Sequence, residues 1–197
     1  MEIEINGIKI QLVNSTEKNV NDYLEFVNSL SKDEDNYTLV RYSEVNKNQI
    51  IEWSKSWGKQ TMMILAYQGD KDTLKVVGNI QLNKGRYFGS ERQFHVGEIA
   101  YAVDKYFRGK GLIYALFSYL LRSTDVKILT AWVDERNIKS QKILENLGFE
   151  RLCKINEFMY SLKEKTFVNL IFYSGRTEVA RERVEKYLEK FNLKIKY

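Results

Sequence analysis

Residues 94–117 read FHVGEIAYAVDKYFRGKGLIYALF. Phe94 to Val103 has the pattern of a strand. Arg108-Gly109-Lys110-Gly111 then leads into a helix, expected from about Gly109 to Arg122, whose Leu112, Ile113, Leu116, Phe117, Leu120 and Leu121 form one wide apolar stripe. Two glycines one residue apart let backbone N–H groups turn toward a common point, and the helix start adds a partial positive charge. Arg108 and Lys110 add full charges. Such a turn is an anion cradle suited to a pyrophosphate. A β-carbon at Gly111 is expected to invade the space the phosphates need. Local spacing leaves other readings open. A dinucleotide-binding loop wants a third glycine where Tyr114 stands, a Walker loop needs a Gly-Lys-Ser/Thr ending that is absent, and a glycine turn needs no ligand at all.

Downstream, Val126 to Val133 reads as a strand. Asn137-Ile138-Lys139-Ser140 then opens a helix that closes with Leu147-Gly148-Phe149. Asn137 suits an N-cap and Gly148 a left-handed C-terminal turn. Ser140, Ile143, Leu144 and Leu147 share one face, where the small Ser140 allows close approach. Upstream, Ile8 to Leu12 reads as a first strand. Helices are expected with Val20, Leu24, Val27 and Leu30 on one face, and again over Glu44 to Trp57. Met62 to Tyr67 and Leu74 to Leu82 read as a hairpin turning at Gly69-Asp70-Lys71. Strands near Arg151 to Ser161 and Thr166 to Ser174 follow, then a helix from about Glu178 to Phe191. The order is βααβββαβαββ with a helical tail. That is a mixed α/β (α+β) domain with helices on both faces of one sheet.

Composition narrows the chemistry. The 197 residues suit a single domain with its own core, and 44% hydrophobic residues exclude a disordered chain. One cysteine excludes an intramolecular disulfide or a cysteine-rich metal site. With His95 the only histidine, a histidine-based metal site is disfavoured and no metal is expected. A net charge of +5 favours anionic partners. The charge is spread along the chain with no Lys/Arg block, so nucleic acid is only one candidate partner and a polyanionic cofactor is another. No signal peptide or membrane-length apolar run is visible, so a cytoplasmic protein is expected.

Taken together, the strand 94–103, Arg108-Gly109-Lys110-Gly111, the strand 126–133, Asn137-x-x-Ser140 and Leu147-Gly148-Phe149 resemble the GNAT superfamily of acyl-CoA-dependent N-acyltransferases. The form around Asn137 is most similar to its RimJ/RimL-like branch. The likeness is specific over 94–150, looser from 8 to 174, and does not reach the tail. It implies a GNAT-like splayed, mostly antiparallel sheet flanked by helices, with acetyl-CoA as cosubstrate between two parting strands. It implies that backbone N–H groups of Arg108, Gly109, Lys110, Gly111, Leu112 and Ile113 wrap the pyrophosphate. Pantetheine would pair along Tyr101, Ala102 and Val103, with Asn137 and Ser140 beside the cofactor arm. Two positions depart from the family pattern. Ile113 stands where Gly or Ala is usual. Leu144, seven residues after Asn137, stands where many members carry the tyrosine that protonates the leaving thiolate.

The expected activity is transfer of an acetyl group to a primary amine of a protein N-terminus, a lysine, a polyamine or another small amine. Glu98 is the candidate base, with Tyr101 and Tyr114 as candidate proton donors to the thiolate. His95 is read as a strand residue near solvent, Cys153 as a small core residue, and Trp53 with Trp57 as a helix-packing face. Competing readings are a non-catalytic acyl-CoA-binding module and a dinucleotide-binding domain. Residues 1–174 are read as the catalytic domain and 175–197 as an amphipathic helical appendage. Its face of Ala180, Val184, Tyr187, Leu188 and Phe191 must dock, on its own chain or on a second copy in a homodimer.

Overall fold

Asn6 and Gly7 both adopt left-handed backbone angles, φ 51° and 77°, and their turn folds β1 (Glu2–Ile5) back on β2 (Ile8–Ser15). The strand β1 therefore precedes the expected first strand. This is a computed structural model, and it describes residues 1–69 and 74–196. After β2 come α1 (Val20–Leu30), the single turn α2 (Leu39–Tyr42) and α3 (Lys47–Ser54). The strands β3 (Thr61–Gln68), β4 (Lys75–Lys84) and β5 (Val96–Val103) form a meander. Of the turn expected at Gly69-Asp70-Lys71, Asp70 and Lys71 lie outside the described residues. Then follow α4 (Leu112–Ser123), β6 (Ile128–Asp134), α5 (Ile138–Asn146), β7 (Glu150–Ser161), β8 (Thr166–Arg176), α6 (Thr177–Lys190) and β9 (Lys194–Lys196).

Among the described residues the nine strands join one sheet in the order β7-β8-β6-β5-β4-β3-β2-β1-β9. Every pairing is antiparallel except β5 with β6. That parallel pair holds only at its start, Val96 to Ile128, Gly97 to Leu129 and Glu98 to Thr130. Beyond Glu98 and Thr130 the strands part, and the fork between them opens toward the start of α4 on one side and of α5 on the other.

Pleating sends alternate side chains to opposite faces. One face carries Ile10, Leu12, Ile64, Ile80, Leu82, Ile99, Leu129, Ala131 and Val133 into the main core, beneath α4. The other carries Met63, Leu65 and Tyr67 into a second core under α1 and α3. Tyr23 and Trp53 each meet Trp57 edge to face there and are tilted against one another, with centroids 5.3–5.9 Å apart, so the two tryptophans are packing residues. Trp57 lies beyond the end of α3, in a bridge to Thr61.

The width of the α4 stripe has a structural cause. Leu112 to Ser118, Leu120 and Leu121 are all buried, because α6 covers the flank of α4 that the sheet does not reach. Ala180, Val184 and Leu188 are buried in that seam. Tyr187 stacks on Tyr114 with centroids 4.5 Å apart. After α6, β9 pairs with β1 at the sheet edge remote from β8. The tail thus docks on its own chain and ties one side of the sheet to the other.

Candidate active site

The fork leaves β5 with a free inner edge from Ile99 to Val103. Asp104 ends the strand, its carboxylate accepting from the Tyr106 N–H at 2.9 Å in a one-turn 3-10 segment. Gly109 and Gly111 follow at φ 71° and 88°, left-handed angles that a side chain resists. No backbone acceptor is recorded for the N–H groups of Gly109, Lys110 and Gly111 among the described residues. The turn therefore offers donors next to the positive end of α4.

The two glycines differ. A β-carbon on Gly109 would meet nothing within 4 Å, whereas one on Gly111 would lie 2.8 Å from Phe191 and 3.2 Å from Leu193. The expectation that Gly111 reserves room for phosphate is corrected: the tail fills that space, and the open side of the turn is at Gly109. The Arg108 side chain also points elsewhere. Its Nε donates to the Val103 carbonyl at 2.9 Å, and its guanidinium pairs with Asp33.

Across the fork, Asn137 caps α5 by accepting from the Ser140 N–H at 3.1 Å. The Ser140 hydroxyl meets the Tyr101 hydroxyl at 2.5 Å, which links β5 to α5. Tyr101, Asn137 and Ser140 are thus brought together. Burial holds the Tyr101 phenol well above its ordinary pKa, so it keeps its proton. Tyr114 is in another place, with its ring between α4 and α6 and its hydroxyl accepting from the Asn146 amide at 3.0 Å. Burial raises its phenol as well, against the opposing Asn146 bond. Leu144, where the family tyrosine would stand, is fully buried.

Glu98 lies on the opposite face of β5, at the closed end of the fork. Arg86 pairs with it at 3.0 Å, and the Tyr87 hydroxyl donates to its second oxygen. Tyr87 in turn accepts from the Trp132 indole N–H at 2.8 Å. Burial, and then the bond to Glu98, push the Tyr87 phenol up to about 12. It remains the donor throughout the neutral range.

The segment 31–42 crosses the mouth of the fork. Asp33 holds Arg108 on the β5 side, and Asp35 meets Lys139 of α5 at 3.3 Å. Tyr42 donates to Asp134 at the end of β6 at 2.9 Å, and Arg41 pairs with Glu164 in the β7–β8 turn. Burial raises the Asp134 carboxyl, but hydrogen bonds from the Arg136 side chain and backbone and from Tyr42 outweigh it, leaving it below the usual range. A cavity of about 140 Å³ opens here, lined by Asp35, Tyr37, Arg136, Asn137, Ile138 and Lys139. The acidic run Asp33-Glu34-Asp35 is therefore part of the strap over the fork, with Asp33 and Asp35 as its tethers.

Two other expectations are settled by position. Cys153 is exposed rather than in the core, because β7 is an edge strand whose first five residues are uncovered. His95 is half-buried beside Phe94, just before β5. Arg86, Tyr87 and Trp132 were not singled out as site residues. For Arg86 and Tyr87 the one sequence signal is the aromatic and basic composition of loop 84–92, and Trp132, inside β6, carries none.

A free strand edge inside the molecule, ending in a left-handed glycine turn at a helix start, suits one extended ligand with an anionic group at its end. Pantetheine and pyrophosphate have that shape and charge, and the residues present fit them. The acetyltransferase (GNAT) domain model matches residues 10–150. The chain belongs to the GNAT family of acetyl-CoA-dependent acetyltransferases. No curated protein sequence matches the chain. Solved structures share its fold. A GNAT-family acetyltransferase from Streptococcus pneumoniae superposes with a TM-score of 0.68 at 15% identity, covering 85% of this chain and 99% of that one. A ribosomal-protein-alanine N-acetyltransferase from Brucella melitensis gives 0.66 at 20%, covering 84% and 99%. The yncA protein of Salmonella typhimurium, solved with its cofactor acetyl-CoA, gives 0.66 at 16%, covering 85% and 94%. At these identities the likeness is one of fold. Among the described residues no helix is long and apolar enough to cross a membrane.

Proposed function

We propose that the protein is an N-acetyltransferase that moves the acetyl group of acetyl-CoA directly to a primary amine. The observation that carries this is the fork: β5 and β6 pair for three residues and then part, leaving a free strand edge that runs into the glycine turn. Acetyl-CoA supplies the thioester, whose C–S bond breaks as the amine nitrogen bonds to the carbonyl carbon. The inner edge of Tyr101, Ala102 and Val103 aligns the pantetheine arm. The amides of Gly109, Lys110, Gly111, Leu112 and Ile113 receive the pyrophosphate, with the exposed Lys110 ammonium nearby. Arg108 serves instead to hold the strap through Asp33. Asn137 fixes the start of α5 so that Ser140 reaches Tyr101.

Glu98 takes the proton that the acceptor ammonium loses. Tyr87 and Arg86 hold its carboxylate in place. Tyr101, which burial keeps protonated, donates a hydrogen bond toward the leaving sulfur, which takes its proton from water, whereas Tyr114 is committed to the α4–α6 seam. Positioning supplies much of the rate in such a transfer. We read residues 1–174 as the catalytic unit and 175–197 as the segment that braces it, in a cytoplasmic setting. The test is free-thiol release from acetyl-CoA with a panel of primary amines. Amine-dependent release supports the reading. Saturable acetyl-CoA binding with no amine-dependent release would make the chain an acyl-CoA-binding module.

A further inference from the structure

Just past the fork, the face that carries Glu98 presents Ala100 on β5 and Trp132 on β6. They are the first residues of that face beyond the last paired positions, Glu98 and Thr130. Ala100 is exposed and leaves the floor open. From Trp132 an aromatic wall runs outward across three strands. Phe172 of β8 is its registered neighbour, with ring centroids 4.5 Å apart. Phe158 of β7 stacks on it at 5.1 Å and 18°. Phe158 arrives there because β7 is bulged between Ile155 and Met159. Glu157 takes a left-handed φ of 52°, and its N–H is held by Asn169 at 2.9 Å. Bulges of this kind re-aim a side chain. Tyr87 closes the wall beside Glu98, edge-on to Phe172 at 6.4 Å.

This wall is not a closed core. Phe158 is 51% exposed and Tyr87 42% exposed, so their rings present apolar surface to whatever enters beside Glu98. The charge at the rim is also selective. The Arg86 side chain is 58% exposed beside a Glu98 side chain that is 14% exposed. A guanidinium there repels a second cationic centre on the incoming molecule. One amine nitrogen is wanted at Glu98, and the rest of the molecule must lie on aromatic faces.

We propose that the wall of Tyr87, Trp132, Phe158 and Phe172 selects the acceptor, and that this acceptor is a small monoamine with an aromatic or large apolar group close to its nitrogen. Polyamines are excluded by Arg86. The inference rests on the acetyltransferase reading for its placement of the nitrogen, and on the wall alone for its choice of apolar group.

The test compares 2-phenylethylamine, n-butylamine and spermidine as acceptors by thiol release from acetyl-CoA. The expected kcat/KM for 2-phenylethylamine exceeds that of each of the others by about tenfold, the gain from laying a phenyl ring on apolar surface. Phe158→Ala, an exposed edge-strand change that leaves the core intact, is expected to cut that preference about fivefold, mainly through KM. Spermidine or n-butylamine used as well as 2-phenylethylamine, or a preference unmoved in both Phe158→Ala and Trp132→Leu, would overturn the proposal. If no amine is turned over, calorimetry decides. Saturable binding of 2-phenylethylamine, weakened by Phe158→Ala and absent for spermidine, keeps the wall as an aromatic-amine site while the acetyl-transfer reading fails. Equal or no binding overturns the selection as well.

Discussion

Beside the fork the two faces of the sheet follow opposite rules. Beneath α4 and α6, apolar side chains fill the space, with Leu112, Leu116, Phe117, Leu120, Leu129 and Ile171 showing no exposed surface. On the other face, where β5 and β6 part, Glu98, Trp132 and Phe172 stay partly open, and ion pairs and exposed rings replace packing. The second face is packed as well under α1 and α3, around Met63 and Leu65, so the contrast is confined to the stretch beside the fork, where packing gives way to chemistry. Only the fork, with Tyr101 reaching Ser140 on the packed side and Glu98 on the open side, belongs to both.

The sharpest way to break the comparison is to strip the packed face. Deleting 178–197 removes Ala180, Val184 and Leu188 from the seam and β9 from the sheet edge. Each large buried side chain contributes about 1.5–3 kcal/mol, so a loss of about 5 kcal/mol or more is expected, comparable with the whole stability of a domain. Urea denaturation measures it. An unchanged midpoint would make the tail a free appendage.

The open face responds in rate rather than in stability. Glu98→Gln is expected to lower kcat/KM about 100- to 10,000-fold while acetyl-CoA affinity is kept, because an amide of the same shape cannot take the proton. A change under threefold would leave Glu98 as an anchor for Arg86 and Tyr87.

The glycine turn holds one packed and one open position within three residues. Gly111→Val meets both a left-handed φ and the Phe191 ring, and is expected to cost about 2–5 kcal/mol. Gly109→Ala meets only the backbone penalty of about 1–2 kcal/mol, and its methyl projects to the open side of the turn. It is therefore the variant expected to weaken acetyl-CoA binding in a folded protein. Equal stability losses, with calorimetric affinity for acetyl-CoA unchanged by Gly109→Ala, would place the phosphates elsewhere.

The smallest effect concerns the strap. Asp134 sits below the usual carboxylate range in the folded protein. A depressed carboxyl contributes stability that is present above its unfolded value, near pH 4, and is lost as pH falls through the folded value. Asp134→Asn is expected to cost about 1–3 kcal/mol at pH 7 and to flatten the loss of stability between pH 5 and pH 3. Melting curves that stay parallel across that range would show that Asp134 carries no such contribution.

The same contrast decides how much was legible beforehand. The cofactor side follows local rules. Glycine at φ 71° and 88° and an asparagine cap on α5 are contiguous signals, and the stripe of α4 was readable with its extra width. The open face is assembled from separate stretches. Arg86 and Tyr87 sit in a loop with no periodicity and reach Glu98 only because the β4–β5 connection folds back. Phe158 is aimed by a bulge that no pattern announces. Asp33 and Arg108, 75 residues apart, meet only once the strap has crossed the fork. At the sheet edge, β9 is three residues long and exists only because β1 offers it a partner.

The central claim is that the fork holds acetyl-CoA, and thermal unfolding with and without the ligand tests it most directly. Acetyl-CoA at 100 times its dissociation constant is expected to add about 2.7 kcal/mol, a rise in Tm of roughly 5–10 °C, while NAD at the same concentration leaves Tm unchanged. No rise with acetyl-CoA at millimolar concentration, or an equal rise with NAD, would contradict it.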